Sequence, residues 1–162
     1  RCVLVFPNSL EFFHKECVIM KKVLLPVDGS ECALHAVALV ISKRARYANP
    51  DELDIHLVNV QAPFSHDVSR FAGHDQMLAF HRERSEEELR AACELLDAAG
   101  AKYTCHYPIG HVAETIAHLA DALHCDQIVM GTPGHGALGE LLTGAITLKV
   151  VQLSSIPVLL VK

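Results

Sequence analysis

The chain has no excess of positive charge, no Cys-x-x-Cys pair, and no apolar run approaching the roughly 20 residues that a membrane-spanning helix needs. Each absence removes a class of function. Lys and Arg number 14 against 19 Asp and Glu, for a net charge of −5. A general nucleic-acid binder needs clustered Lys and Arg to neutralise phosphates, so none is expected. No membrane anchor is expected either. The six cysteines, Cys2, Cys17, Cys32, Cys93, Cys105 and Cys125, are scattered. Disulfide frameworks belong mostly to short, loop-rich secreted chains. Reduced, partly buried thiols in a cytoplasmic protein are therefore expected. No His-x3-His spacing occurs among the eleven histidines. His35, His56, His106, His111 and His118 read as isolated. His66, His74 and His81 have no supporting pair, so no metal site is expected.

What is present suits one domain: 162 residues, 51% of them apolar and 20% charged. Residues 1–19 stand apart. Pro7 breaks their short apolar run and no small-residue cleavage site follows, which argues against a signal peptide. They read as an extension or an added segment, not part of the core fold, with the domain over residues 20–162.

Val23–Val27 is a short apolar run flanked by lysines and an Asp28-Gly29 turn. Ser30 offers a cap for a helix whose face is Ala33, Val37, Val40 and Ile41. Ile55–Val60 is a second strand, and residues 61–75 are irregular. A long helix follows from about Gln76 to Ala99, with Leu89, Ala92, Cys93 and Leu96 as its stripe and Gly100 as its C-cap. Lys102–Tyr107 is a third strand. Val112, Ile116, Leu119, Ala120 and Leu123 mark a helix, and Gln127–Met130 a fourth strand. Ile146, Val150 and Leu153 mark the last helix, and Val158–Val161 the fifth strand. This alternation predicts an α/β fold: a single-domain five-stranded parallel sheet with helices on both faces. Ligands of such sheets lie outside the carboxyl ends of the strands, at the topological switch point. Attention falls on Asp28-Gly29, the residues after Val60, and the glycine segment VMGTPGHGALGELLTGAITLKV at 129–150.

Three templates fail on that segment. A Walker A loop needs G-x-x-x-x-G-K-[ST], and no lysine stands between Gly131 and Leu148. The spacing G-x-G-x-x-G occurs at Gly134, Gly136 and Gly139. A dinucleotide fold would need an acidic residue about 20 positions on, and none follows Glu140. An RNA-clamping GxxG at Gly131 and Gly134 lacks basic neighbours. What remains is Gly131 and Gly134 at a strand end, and Gly144 where a helix begins. Glycine lets the backbone approach a ligand closely. A helix N-terminus offers free N–H groups and partial positive charge. Together they would hold a phosphate without a lysine.

The spacing G-x2-G-x9-G, the strand-turn VLLPVDGS, the segment LHCDQIVMGTPG and the ending SIPVLLV resemble the universal stress protein family, over nearly all of Met20–Lys162. The resemblance implies an adenine nucleotide alpha hydrolase-like fold and, as in many members, a pocket for ATP or AMP, with Mg²⁺ accompanying ATP. It implies that Pro26, Val27, Asp28 and Val60 line the base and ribose. Met130 and Gly131 would meet the ribose and phosphates, and Gly134, Gly144, Ala145, Ile146 and Thr147 would serve the phosphate oxygens. Two positions depart from the family pattern. Ala145 stands where nucleotide binders carry Ser or Thr, although Thr147 matches another hydroxyl position. His135 stands where many carry Arg or Lys. A hydrogen bond to a charged group contributes roughly 1.5–3 kcal/mol, so one lost hydroxyl weakens binding about tenfold or more.

Simpler readings stand beside these. Asp28 can cap the first helix, and the glycines can serve only turns. Glu86, Glu87 and Glu88 read as a solvated helix face. Ser154 and Ser155 have no His–Asp arrangement, and no acid, base and nucleophile combine, so efficient catalysis is not expected. The resemblance implies a ligand-responsive regulator of stress responses, read by a protein partner. It also implies a homodimer, with the apolar Val158–Val161 strand pairing across a two-fold axis instead of remaining a bare edge. The alternatives are a dimeric interaction module that has lost nucleotide binding, and a slow nucleotide hydrolase.

Overall fold

The computed structural model describes residues 2–5, 21–64, 74–132 and 144–162. Five parallel strands form where the apolar runs predict them: β2 (Lys22–Pro26), β3 (Asp54–Val58), β4 (Tyr103–His106), β5 (Gln127–Gly131) and β6 (Val158–Val161). A further strand, β1 (Cys2–Val5), gives the sheet the order β1-β6-β5-β2-β3-β4. The helices are α1 (Glu31–Arg44), α2 (His74–Ala98), α3 (Val112–Ala122) and α4 (Ala145–Leu153). The parallel strands read as continuous apolar runs because both faces of the sheet are covered. On one face, α1 and α2 bring Ala36, Val37, Val40, Leu89, Ala92 and Leu96 onto Leu25, Ile55, Leu57 and Val129. On the other, α3 and α4 bring Ala113, Ile116, Ala120 and Val150 onto Leu24, Val58, Ile128 and Leu160.

The helix ends follow local chemistry. Ser30 caps α1, its Oγ accepting from the N–H of Ala33 at 3.3 Å. Gly100 closes α2 as expected, at φ +59°, and the N–H of Ala101 returns to the Leu96 carbonyl. Arg44, in the last turn of α1, donates to the carbonyls of Ala99 and Gly100 and to Asp51. It thus ties the C-terminal ends of both helices together. His124 ends α3 in the left-handed conformation (φ 53°) that glycine takes at Gly100.

Residues 2–5, set outside the fold on sequence grounds, form the antiparallel strand of the sheet. Cys2 stands opposite Val161, Val3 opposite Leu160, Leu4 opposite Leu159 and Val5 opposite Val158. Backbone pairing with β6 covers the edge that Val158–Val161 would otherwise leave bare.

Candidate functional site

From β2 the chain passes to β3 and then β4 on one side, and returns to β5 and β6 on the other. The switch point therefore lies between β2 and β5, where open α/β sheets take their ligands. The amino ends of these strands are tied: Asp126 Oδ2 accepts from the N–H groups of Lys21 and Lys22, both at 2.8 Å. The ladder pairs only Val23 with Gln127 and Leu24 with Ile128. Beyond it, Pro26 has no N–H to extend the pairing. The carboxyl ends of β2 and β5 thus run on unpaired with each other, carrying Pro26-Val27-Asp28 and Met130-Gly131.

The first turn of α1 closes over the end of β5. A Cβ on Gly131 would lie 1.9 Å from the Cys32 carbonyl oxygen and 2.6 Å from the Ala33 nitrogen, so no other residue fits. Asp28 shapes the turn that leads there, with Oδ1 accepting from the N–H of Ser30 at 3.1 Å. Gly29 follows at φ +77°, a conformation that favours glycine. Val27 is buried, and its N–H donates to the Val58 carbonyl at 2.9 Å.

A polar network holds the end of β3 beside it. Asn59 is only 2% exposed, and its Nδ2 donates to the Val27 carbonyl at 2.8 Å and to Glu88 Oε2 at 2.7 Å. Gln61 Nε2 donates to Asn59 Oδ1 at 2.7 Å, and Arg84 Nε to Glu88 Oε1 at 3.1 Å. Glu86 and Glu87 are exposed, as expected of a solvated face, but Glu88 is not part of that face. It is half-buried over Gly29 and gathers these donors. The sequence signal for it was Glu88 next to the buried stripe of Ser85, Leu89, Ala92 and Leu96, one turn after Arg84.

Helix α4 begins at Gly144, its N-cap, and among the described residues no side chain caps it. Its first i→i−4 bond runs from the N–H of Leu148 to the Gly144 carbonyl. The preceding helical amides, of Ala145, Ile146 and Thr147, have no partner within the helix, as at any helix start. Gly144 has a negative φ of −54°. Among the described residues a Cβ there would meet only Thr147 Oγ1, at 3.9 Å. Unlike Gly131, this position does not require glycine for its own packing.

A universal stress protein family model matches residues 20–162. The chain belongs to the universal stress protein family. Among individual members, it is 30% identical over 150 residues to Universal stress protein MJ0531 of Methanocaldococcus jannaschii, covering 89% of this chain and 83% of that one. The solved structure of the hypothetical protein MJ0577 superposes with a TM-score of 0.70 at 28% identity, over 90% of this chain and 97% of that one. A universal stress protein solved in complex with cAMP shares the fold, with a TM-score of 0.64 at 21% identity, over 88% and 97% of the two chains.

Against this universal stress protein frame, Pro26, Val27, Asp28, Met130 and Gly131 lie at the carboxyl ends of β2 and β5. Val60 lies two residues past the end of β3, and Gly144, Ala145, Ile146 and Thr147 open α4. Gly134 and His135 lie outside the described residues, as do Gly136, Gly139 and His66. Met130 and Thr147 are buried, whereas Ala145 and Ile146 are exposed. An open cleft of about 540 Å³ lies along α2, lined among the described residues by Phe80, Glu83, Arg84, Glu87 and Glu88. Three carboxylates against one guanidinium make it unsuited to a phosphate.

His56 and His106 are not isolated. His56 Nδ1 lies 2.9 Å from His106 Nε2, and His56 Nε2 lies 3.1 Å from Asp54 Oδ2. Adjacent parallel strands bring them together. Burial raises the Asp54 carboxyl, but bonding and charge from His56 and Lys22 outweigh it and hold the group below its ordinary range. Burial, and then the neighbouring His56, hold His106 below the ordinary imidazole range. Among the described residues no group of three or more His, Cys, Asp or Glu is arranged to hold a metal, and no helix is long and apolar enough to cross a membrane.

Proposed function

We propose that the chain is an adenine-nucleotide-binding regulatory protein of stress responses, taking ATP or AMP at the carboxyl ends of β2 and β5. One observation carries this reading: Gly144 opens α4 where neither its φ nor its described neighbours require glycine. Among the described residues nothing packs closely where that side chain would be, and the free amides of a helix start suit an anion. The residues at hand fit a phosphate held by main-chain donors. Gly134, Gly144, Ala145, Ile146 and Thr147 would serve it, with His135 adding charge when protonated. Met130 would act through its backbone, since its side chain belongs to the core. Pro26, Val27, Asp28, Val60 and Gly131 would bound the base and ribose. Asn59, by bonding the Val27 carbonyl, would fix that wall. The cAMP complex of a protein of the same fold supports a nucleotide of this class. Mg²⁺ would accompany ATP.

The proposed protein works in the cytoplasm without efficient catalysis, the nucleotide altering a surface that a protein partner reads. It would act as a homodimer through Val158–Val161 where residues 2–5 give up that edge to a second copy. Ile146, Leu148 and Leu153 leave large apolar side chains exposed on α4, which suits an interface with a second copy. Ala145 favours the second reading, a dimeric interaction module without nucleotide, because its methyl group cannot donate to a phosphate. Calorimetry with AMP and ATP separates the two. Micromolar or weaker binding is expected, and heat indistinguishable from buffer at millimolar nucleotide would establish the module instead.

A further inference from the structure

We propose that Cys93 on α2 and Cys105 on β4 are a modification site, closing into a reversible intramolecular disulfide when a hydroperoxide reaches them. Their sulfurs already touch, at 3.8 Å. A disulfide bond is about 2.05 Å long, so the sulfurs must approach by less than about 2 Å, the scale of side-chain rotation. Both residues are half-buried, open to a small oxidant yet held by rigid elements. Leu89, Ala92 and Leu96, fully packed beneath α2, fix the helix that carries Cys93. Cys105 stands in register with Leu57 of the neighbouring strand. Cys125, by contrast, is buried in the cluster on the other face of the sheet.

The surroundings assign roles to the two thiols. Burial, together with the adjacent Cys93, pushes the Cys105 thiol up to about 11. Tyr107 is pushed up to about 12, first by burial, and Tyr103 donates to Asp97 at 3.0 Å. Cys105 thus stays protonated and suits the resolving role. The Cys93 thiolate attacks one oxygen of the hydroperoxide, and the O–O bond breaks. Cys93 becomes a sulfenic acid, and the departing alkoxide takes up the proton that Cys93 gave away. Cys105 sulfur then attacks Cys93 sulfur, the S–O bond breaks, and the hydroxide leaves as water with the Cys105 proton. Two thiols are oxidised to one disulfide and one hydroperoxide is reduced to an alcohol and water. A thiol reductant reverses the bond by exchange. Short-lived disulfides of this kind are the usual sort in a reducing compartment.

The test treats the full chain with stoichiometric hydrogen peroxide, blocks the remaining thiols, and maps tryptic peptides by tandem mass spectrometry. Cleavage after Lys102 puts the two cysteines on separate peptides. The expected result is a Cys93–Cys105 link with the loss of two hydrogens, two fewer titratable thiols, and full reversal by dithiothreitol. In Cys105→Ser the link is absent and Cys93 is trapped as a sulfenic acid by dimedone. Conversion of Cys93 to sulfinic acid without a link in the unmodified chain overturns the proposal. So does a bond that joins other cysteines, or two chains, or an unchanged thiol count. Should the variant fail to fold, the peptide map of the unmodified chain decides between these outcomes by itself.

Discussion

Gly131 and Cys32 lie closer than any side chain between them would permit. Strand β5 ends directly beneath the first turn of α1, and a single methyl on Gly131 would overlap the Cys32 carbonyl. Gly144, thirteen residues along the same glycine segment, would bring a Cβ no closer than 3.9 Å to any described atom outside its immediate neighbours. Among the described residues, then, two glycines that look alike in the sequence answer to different constraints: packing requires the first and not the second.

That contrast can be measured with a pair of variants. Gly131→Ala should destabilise the chain by about 2–3 kcal/mol, because backbone must move to admit the methyl group. Gly144→Ala should cost under about 1 kcal/mol, since its φ suits any residue. It should nonetheless weaken AMP and ATP binding. Urea unfolding and calorimetry on both proteins check this. Gly144→Ala binding as tightly as the unmodified chain would remove that helix start from the nucleotide site.

Ala145→Ser restores a hydroxyl at the exposed first position of α4. One hydrogen bond to a charged phosphate is expected to tighten ATP about tenfold. Calorimetry reads the change directly. Equal affinity in the two proteins would mean that position 145 does not face phosphate.

Asn59→Ala removes the donor shared by the Val27 carbonyl and Glu88. The buried Val27 carbonyl loses its side-chain donor and the half-buried Glu88 carboxylate loses one of its donors, so a loss of about 1–3 kcal/mol is expected on unfolding in urea. Nucleotide affinity should fall with it, because the turn at Asp28 is then held to the end of β3 by the Val27 N–H bond alone. Glu88→Gln, which keeps a carbonyl acceptor, should cost less than Asn59→Ala. The reverse order would mean the carboxylate charge, not the bond to Asn59, holds the network.

The parallel strands were legible because each is a short apolar run bounded by turn residues, and the helices because their buried positions recur every three or four residues. The long helix begins at His74, not near Gln76, within the ordinary uncertainty of a helix end. What local pattern cannot express is pairing between distant segments. Cys2–Val5 becomes a strand only because β6, at the far end of the chain, offers an edge. Glu88 looks like its neighbours Glu86 and Glu87 until Asn59 is brought beside it. His56 and His106, fifty residues apart, meet only once β3 and β4 are in register. At the candidate site, the glycine spacing directed attention to the carboxyl end of β5 and the start of α4, but not to the difference between Gly131 and Gly144.

His106 makes stability depend on pH. Its folded value is held below the ordinary imidazole value of about 6.5, by burial first and by His56 second. The unfolded chain therefore binds the proton more readily than the folded one. Stability should be full above about pH 6.5 and fall as the pH drops below it, levelling once the folded group is also protonated. Asp54, whose value is lowered from 3.8, loses its contribution only in a separate and more acidic window. Urea midpoints measured from pH 8 to pH 5 should show the decline, and His106→Gln should flatten it. A variant with an unchanged pH profile would show that some other group titrates.

The edge of β6 sets the last expectation. Cys2–Val5 runs antiparallel to Val158–Val161, and a second copy's β6 approaching across a two-fold axis would also run antiparallel to it. Both need the same row of backbone N–H and C=O groups, so they exclude one another at that edge. CVLV and VLLV are both apolar at nearly every position, so side-chain character does not choose between the two partners. Deleting residues 1–19 frees the edge, and light scattering should then report a larger fraction of two-chain particles than in the full chain at equal concentration. Adding Leu160→Pro to the shortened chain removes a ladder N–H and should return it to one chain. A shortened chain that stays single, or a dimer that survives Leu160→Pro, would place the interface elsewhere and leave β1 as a cover for an edge that no second copy uses.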